Sequence, residues 1–276
     1  MPQYATLHTH TDSGVHTILL NRPEKRNALN HQLIGDLTHA LESFAASHTC
    51  RVLILTGAGS SFCAGLDLEH LRAMPLPPGQ PAPTEDYIAD AQRIATLLRT
   101  LYALPKPTIA AVNGPAIAGG MGIATLCDFT LAVPEAKFGY TEVRIGFVPA
   151  VVAAFLRTQL GEKSARDLLL TGRLVSAEEA QTLGLVNRII AEPDLIREAK
   201  ALAHRLLRNS PAAIEATKRL LCSFSSQQLT RDIEAAIRAS VDARSNADFH
   251  EGVAAFLEKR EPQWPSIHAK EPVQTA

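Results

Sequence analysis

Twice in this chain a short, mostly apolar run passes straight into a glycine-bearing turn and then toward the start of a helix. Arg51–Thr56 (RVLILT) leads through Gly57-Ala58-Gly59-Ser60-Ser61 into Phe62-Cys63-Ala64-Gly65-Leu66-Asp67-Leu68. Thr108–Val112 leads into Asn113-Gly114-Pro115-Ala116-Ile117-Ala118-Gly119-Gly120-Met121-Gly122. Apolar runs without alternation read as buried strands, and buried strands need helices over them. The flanking sequence supplies those helices. Asn30 is a capping residue for a helix with Leu33, Leu37, Leu41 and Phe44 on one side. Thr84 opens another with Ile88, Ala91, Ile94, Ala95 and Leu98 aligned, and Pro105 and Pro107 end it and force an extended approach to Thr108.

The remaining segments fit the same plan. Tyr4 to His10 and Val15 to Leu20 read as a hairpin around Asp12-Ser13-Gly14. Asp128–Val133 reads as a further strand, and Pro75 to Pro83 as an irregular insertion. After Pro149 the pattern becomes helical over 149–160, 163–171, 176–183 and 193–258, interrupted by Leu185–Ile190. The expected architecture is an α/β core over 1–195 followed by a helical region over 196–276. Apolar faces at 196–207 and 232–241 must pack on the core or on another subunit.

Charge and hydropathy narrow the function. Twenty-seven Lys and Arg stand against 28 acids, a formal charge of −1, which is not the basic footprint of a dedicated nucleic-acid binder. No apolar run approaches the roughly 20 residues that span a bilayer. Met1-Pro2-Gln3-Tyr4 lacks the basic and apolar regions of a signal peptide, and the 4 cysteines are scattered without zinc or redox spacing. A soluble chain in the reducing cytoplasm is expected.

Some residues invite chemistry of their own. His8 and His10 alternate on a strand and point the same way, as two metal ligands would. No later cluster completes a ligand set, so surface histidines on an edge strand are the expectation, with no metal site. Cys63 has no identifiable His–Asp partner to activate it and reads as a small buried residue. Asp67, at a helix start, reads as a cap more readily than as a catalytic acid. The two glycine loops would present unpaired N–H groups to an anion, although a tight turn without a ligand explains either one alone.

The motifs taken together, in order and over nearly the whole chain, resemble the crotonase (enoyl-CoA hydratase/isomerase) superfamily. They are Leu20-Asn21-Arg22-Pro23 with Asn27-Ala28-Leu29, Phe62–Asp67, Ala110–Asp128, Phe138-Gly139-Tyr140-Thr141-Glu142, Leu170–Arg173, Gly184–Asn187 and Phe256–Arg260. The resemblance implies a superhelix of ββα units with a C-terminal helical trimerisation region, arranged as a homotrimer or a pair of trimers. It implies an acyl-CoA thioester as substrate, with no cofactor beyond the coenzyme A of that substrate. Two peptide N–H groups, matched to Ala64 and Gly119, would hold the thioester oxygen as negative charge develops there.

Hydratases of this superfamily use two glutamates. Glu142 matches one; the other falls on Gly122, which has no side chain. Proton transfer by Glu142 suffices for Δ3-Δ2 double-bond isomerisation, whereas hydration also needs a water held and deprotonated. Overall likeness implies an enoyl-CoA hydratase. Isomerisation by Glu142 alone and a non-catalytic acyl-CoA-binding homologue are the alternatives, and Glu142 as a plain surface acid is the bland one. Tyr140–Phe147 resembles bacterial members that hydrate enoyl-CoA or methylglutaconyl-CoA, and Pro149–Ala153 makes the adjoining helix unusually apolar. For coenzyme A, the resemblance implies contacts at Lys25, Arg26, Ala28, Ala64, Leu66, Asp67, Leu68, Gly119, Gly122, Phe256 and Lys259.

Overall fold

A computed structural model of the chain describes residues 3–72 and 84–268, so the Pro75–Pro83 stretch lies outside the described residues. Strand β1 (Leu7–Asp12) turns back into β2 (Val15–Leu20), with Asp12 paired to Val15. Ser13 and Gly14 both take positive φ, 50° and 84°, the backbone that lets a two-residue turn follow the strands' right-handed twist. That turn moves the first arm of the hairpin later than Tyr4–His10.

From β2 onward the chain repeats one move: a strand of a main sheet, a short segment in a second sheet, then a helix outside. After β2 comes Leu29, bridged to Leu66, and then α1 (His31–Ala46). After β3 (Val52–Gly57) comes Cys63, bridged to Ala116, and then α2 (Leu68–Arg72) and α3 (Thr84–Tyr102). β4 (Thr108–Val112) is followed by β5 (Ala116–Ile117) and α4 (Gly119–Leu126). β6 (Phe129–Ala132) is followed by β7 (Lys137–Gly139), then α5 (Ala150–Gln159) and α6 (Glu162–Thr171). The core closes with β8 (Val175–Ser176), α7 (Ala177–Thr182) and β9 (Arg188–Ile189). The main sheet runs β1-β2-β3-β4-β6-β9, parallel except for β1, and the second runs β5-β7-β8. This is the expected superhelix of ββα units.

Burial follows the sequence logic. Every residue of β3 and β4 is buried, as runs without alternation require. Asn30 caps α1 by accepting from the Leu33 amide at 2.9 Å, and α1 buries Leu33, Leu37, Leu41 and Phe44.

The C-terminal helices are continuous with this core. α8 (Leu195–Leu207) buries Leu195, Ala199 and Ala203 in the main hydrophobic cluster. α9 (Pro211–Ser223) has no buried residue. α10 (Ser226–Arg244) adds Leu229, Ile233 and Ala236 to the same cluster against α3 and α5. The apolar faces at 196–207 and 232–241 are thus packed within this chain. α11 (Ala247–Glu258) returns to α2, where Leu71, Phe147, Phe249 and Val253 form a second, smaller cluster. No helix among the described residues is long and apolar enough to cross a membrane.

Candidate active site

The two glycine loops abut because each contributes backbone to the second sheet. The Ile117 amide donates to the Cys63 carbonyl at 2.9 Å, and the amides of Phe62 and Cys63 donate to the Pro115 carbonyl at 3.1 and 3.2 Å. Gly65 allows this closeness: its φ is +85°, and a β-carbon there would sit 2.8 Å from Ala118 Cβ. Buried Asn27 stitches the first loop from below, donating through Nδ2 to the carbonyls of Ala58 at 2.9 Å and Ser61 at 2.8 Å.

Which amides remain free is decided by that pairing, and it corrects one expectation. The Ala64 amide donates to the Arg26 carbonyl at 3.0 Å, so it is spent inside the protein and is not a donor for a ligand. Leu29 pairs with the residues on either side of Leu66: its amide donates to Gly65, and its carbonyl accepts from Asp67. A bridge of this kind leaves the intervening amide facing the other way. The Leu66 amide has no partner among the described residues. Across from it, Ala118 adopts φ 53° and ψ −123°, its amide donating to Gly139 at 2.7 Å. This sparsely populated backbone, rare for alanine, turns Gly119 into the first position of α4, where its N–H has no intrahelical acceptor. Leu66 and Gly119 therefore each keep an amide without a partner among the described residues, with the positive end of α4 behind Gly119.

Both residues line a cavity of about 550 Å³. Its walls are largely apolar, from Leu66, Leu68, Leu71, Ile94, Phe147 and Val152, with Phe256 at one side. Glu142 also lines it. It opens a 3₁₀ turn, Glu142–Ile145, whose end is held by the Phe147 amide donating to the Glu142 carbonyl at 3.0 Å. Glu142 is buried, and its Oε2 is a buried oxygen without a hydrogen-bond partner among the described residues. Burial pushes its carboxyl up to about 7, against a smaller opposing effect of a backbone N–H. An acid of this kind exchanges protons readily near neutral pH.

Gly122 does not line the cavity. A β-carbon built on it would lie 2.9 Å from Val152 Cγ1, and it is Val152 that forms the wall there. The expected ligand contact at Gly122 is corrected accordingly.

The other expected residues divide into wall and frame. Arg26, Ala64, Leu68 and Phe256 stand at the cavity with Leu66 and Gly119. Lys25 is exposed and paired with Glu69 at 2.8 Å. Ala28 lies behind the loop, its carbonyl accepting from Arg22 Nη1. Asp67 is held by Arg22 at 3.0 Å, and it is the Asp67 carbonyl, not its side chain, that accepts from Leu71 in the first turn of α2. The cap reading is thus replaced by an ion pair. Lys259 ends α11 in a left-handed conformation. Cys63 is fully buried and its thiol is pushed up to about 12 by desolvation, so it packs and does not attack. His8 and His10 are exposed on β1, at the edge of the sheet.

The sequence reading missed a buried charge at the cavity. Arg244 lines it and pairs with Asp90 at 2.5 Å, both side chains 2% exposed. The guanidinium also stacks over Tyr87 and Phe147. These partners are far apart along the chain, so no local pattern announces them.

The chain is similar to known proteins in sequence and in fold. The family model described as enoyl-CoA hydratase/isomerase matches residues 10–267. A protein of Thermus thermophilus named putative enoyl-CoA hydratase is 42% identical over 91% of this chain and 97% of its own length. An Escherichia coli protein named 1,2-epoxyphenylacetyl-CoA isomerase is 34% identical over 93% of this chain and 97% of its own. The crystal structure of an enoyl-CoA hydratase/isomerase from Xanthobacter autotrophicus Py2 superposes with a TM-score of 0.84 at 28% identity, covering 98% of this chain and all of that one.

Proposed function

Since the chain belongs to the enoyl-CoA hydratase/isomerase family, we propose that it adds water to a 2-enoyl-CoA thioester, with Glu142 as acid and base. The Leu66 and Gly119 amides hold the thioester oxygen. The carrying observation is the unpartnered Oε2 of buried Glu142 in a cavity whose wall also bears those two amides.

The mechanism follows from one carboxyl group and two donors. Neutral Glu142 gives its proton to the α-carbon from one oxygen, while its other oxygen takes a proton from the water that attacks the β-carbon. Hydroxide adds at the β-carbon, hydrogen at the α-carbon, and the carboxyl ends protonated as it began. Charge developing on the thioester oxygen meets N–H groups fixed in advance, and one such donor is worth about 3 kcal/mol. Proton transfer and water are all the reaction consumes, so no resident cofactor is proposed.

A second reading is favoured by Val152. With that side chain over Gly122, no second carboxylate among the described residues stands in the cavity wall to hold a water. Ionised Glu142 would then take a proton from the α-carbon of a 3-enoyl-CoA and return it at the γ-carbon, which isomerises the double bond.

Arg26, with Lys25 nearby, supports a rim for the nucleotide end of coenzyme A, because phosphates seek fixed cations. Exposed Leu220, Leu221 and Phe224 at α9, and Phe256 on α11, support burial of this region in a homotrimer or a pair of trimers. Four free cysteines support a reducing compartment such as the cytoplasm.

The test is incubation with a panel of 2-enoyl- and 3-enoyl-CoA thioesters, short, branched and longer, with products resolved by mass. A gain of one water marks hydration; an unchanged mass with a shifted double bond marks isomerisation. Loss of both in Glu142→Gln is expected. Wild-type protein that binds acyl-CoA yet converts none of the panel would overturn both readings.

A further inference from the structure

Three helices meeting beside the cavity each bring one ligand-type atom to the same point. His31, the first residue of α1, places Nε2 2.7 Å from Oδ1 of Asp90 on α3. His70 on α2 places its Nε2 2.8 Å from His31 Nε2, and the three atoms lie within 4.8 Å of one another.

Protons alone do not satisfy this arrangement. Around His31 Nε2 stand a carboxylate oxygen, an imidazole nitrogen and, at 3.1 Å, Nη1 of Arg93. A ring nitrogen carries one N–H or offers one lone pair, never both. As a donor it serves Asp90 or His70 and turns a proton toward Arg93, which only donates. As an acceptor it serves Arg93 and aims its lone pair at the Asp90 oxygen. Either assignment leaves one short contact repulsive. A cation among the three atoms removes the conflict, because each then points a lone pair at one positive centre.

We propose that His31, His70 and Asp90 bind a first-row divalent cation of the zinc type. Two imidazole nitrogens and a carboxylate oxygen are a donor set such ions take, with a fourth position open to water. Around a tetrahedral centre with bonds of about 2.0–2.1 Å, neighbouring ligand atoms stand about 3.3 Å apart. His31 Nε2 stands 2.8 Å from His70 Nε2 and 2.7 Å from Asp90 Oδ1, so both pairs need to open by about half an ångström to reach that span, and both histidines are partly exposed. The other carboxylate oxygen, Oδ2, is held by Arg244 Nη2, which orients Asp90 and leaves Oδ1 toward the imidazoles. Arg93, 3.8 Å from Oδ1 and 45% exposed, swings to solvent as the ion binds. Since α2 carries Leu68 and Leu71 into the cavity wall, a bound ion ties that wall to α1 and α3.

The 276-residue chain, stripped with a chelator, is titrated with Co²⁺ and separately dialysed against Zn²⁺. One equivalent per chain is expected, with the visible absorption of low-symmetry Co²⁺, bleached by Zn²⁺. His31→Gln and His70→Gln each lose at least about tenfold in affinity, with far-UV circular dichroism as the check on folding. The double variant His8→Gln/His10→Gln, which removes the exposed pair on β1, retains full binding. Should His70→Gln misfold, His31→Gln decides alone, since it keeps the Asn30 cap. The proposal is overturned by absent stoichiometric binding in the wild type, by binding that survives His31→Gln, or by loss confined to the His8/His10 variant.

Discussion

The side chain of Val152 lies over Gly122, close enough that a β-carbon at Gly122 would come within 2.9 Å of Val152 Cγ1. The helix position at which the family resemblance places a second glutamate thus faces an apolar wall here, and both halves of the contact contribute. Gly122 offers no side chain, and α5 fills the space with a branched one. Among the described residues that line the cavity, Glu142 is the only carboxylate.

Gly122→Glu alone therefore overpacks the site. A loss of about 1–3 kcal/mol in stability is expected, together with reduced turnover. Combining it with Val152→Ala makes room, and the double variant should shift product toward hydration in a mass-resolved assay. A single variant as stable and active as the wild type would show that Val152 does not block the position.

Glu142→Gln separates function from stability. Turnover should fall about 10²- to 10⁴-fold. Because the folded carboxyl sits at about 7 against 4.5 when unfolded, the folded state holds an extra proton between those values. Stability from this group is full below about 4.5, declines as pH rises, and the deficit is complete above 7. Removing the charge should stabilise the protein by up to about 3 kcal/mol at pH 8 and hardly at pH 4. Urea unfolding at the two pH values measures it.

The pH profile of kcat/KM distinguishes the two reactions. Hydration begins with neutral Glu142, so its rate should fall as pH rises through about 7. Isomerisation begins with the carboxylate, so its rate should fall as pH drops through the same value. A rate flat across this range for every substrate would remove Glu142 from the chemistry.

Gly65→Ala tests the amide pair without touching either donor. A β-carbon there would press on Ala118 Cβ at 2.8 Å and the Ile117 carbonyl at 3.0 Å, on a residue whose φ is +85°. The loops must part, and misplacing one donor should lower kcat about 10²- to 10³-fold. Gly119→Ala, which meets only the flexible tip of Leu29 at 3.2 Å, should cost far less. Equal losses in the two variants would mean the loop contact does not set the geometry.

Much of this was legible along the chain. The buried runs of β3 and β4, the Asn30 cap, the apolar faces of the helices and the candidate acid Glu142 all follow from local pattern or from motif order. That Gly122 supplies no carboxylate follows from its identity. What the linear sequence could not decide is where partners distant along the chain would meet. The Ala64 amide looked available until Arg26 took it, and Leu66 became the donor because pairing with Leu29 consumed its neighbours instead. Val152 over Gly122, Arg244 against Asp90, and His31 beside His70 are likewise meetings of separate elements. Periodicity states which face of an element is apolar, but the register between elements assigns each amide and each charge its partner, and that register exists only once the chain has folded.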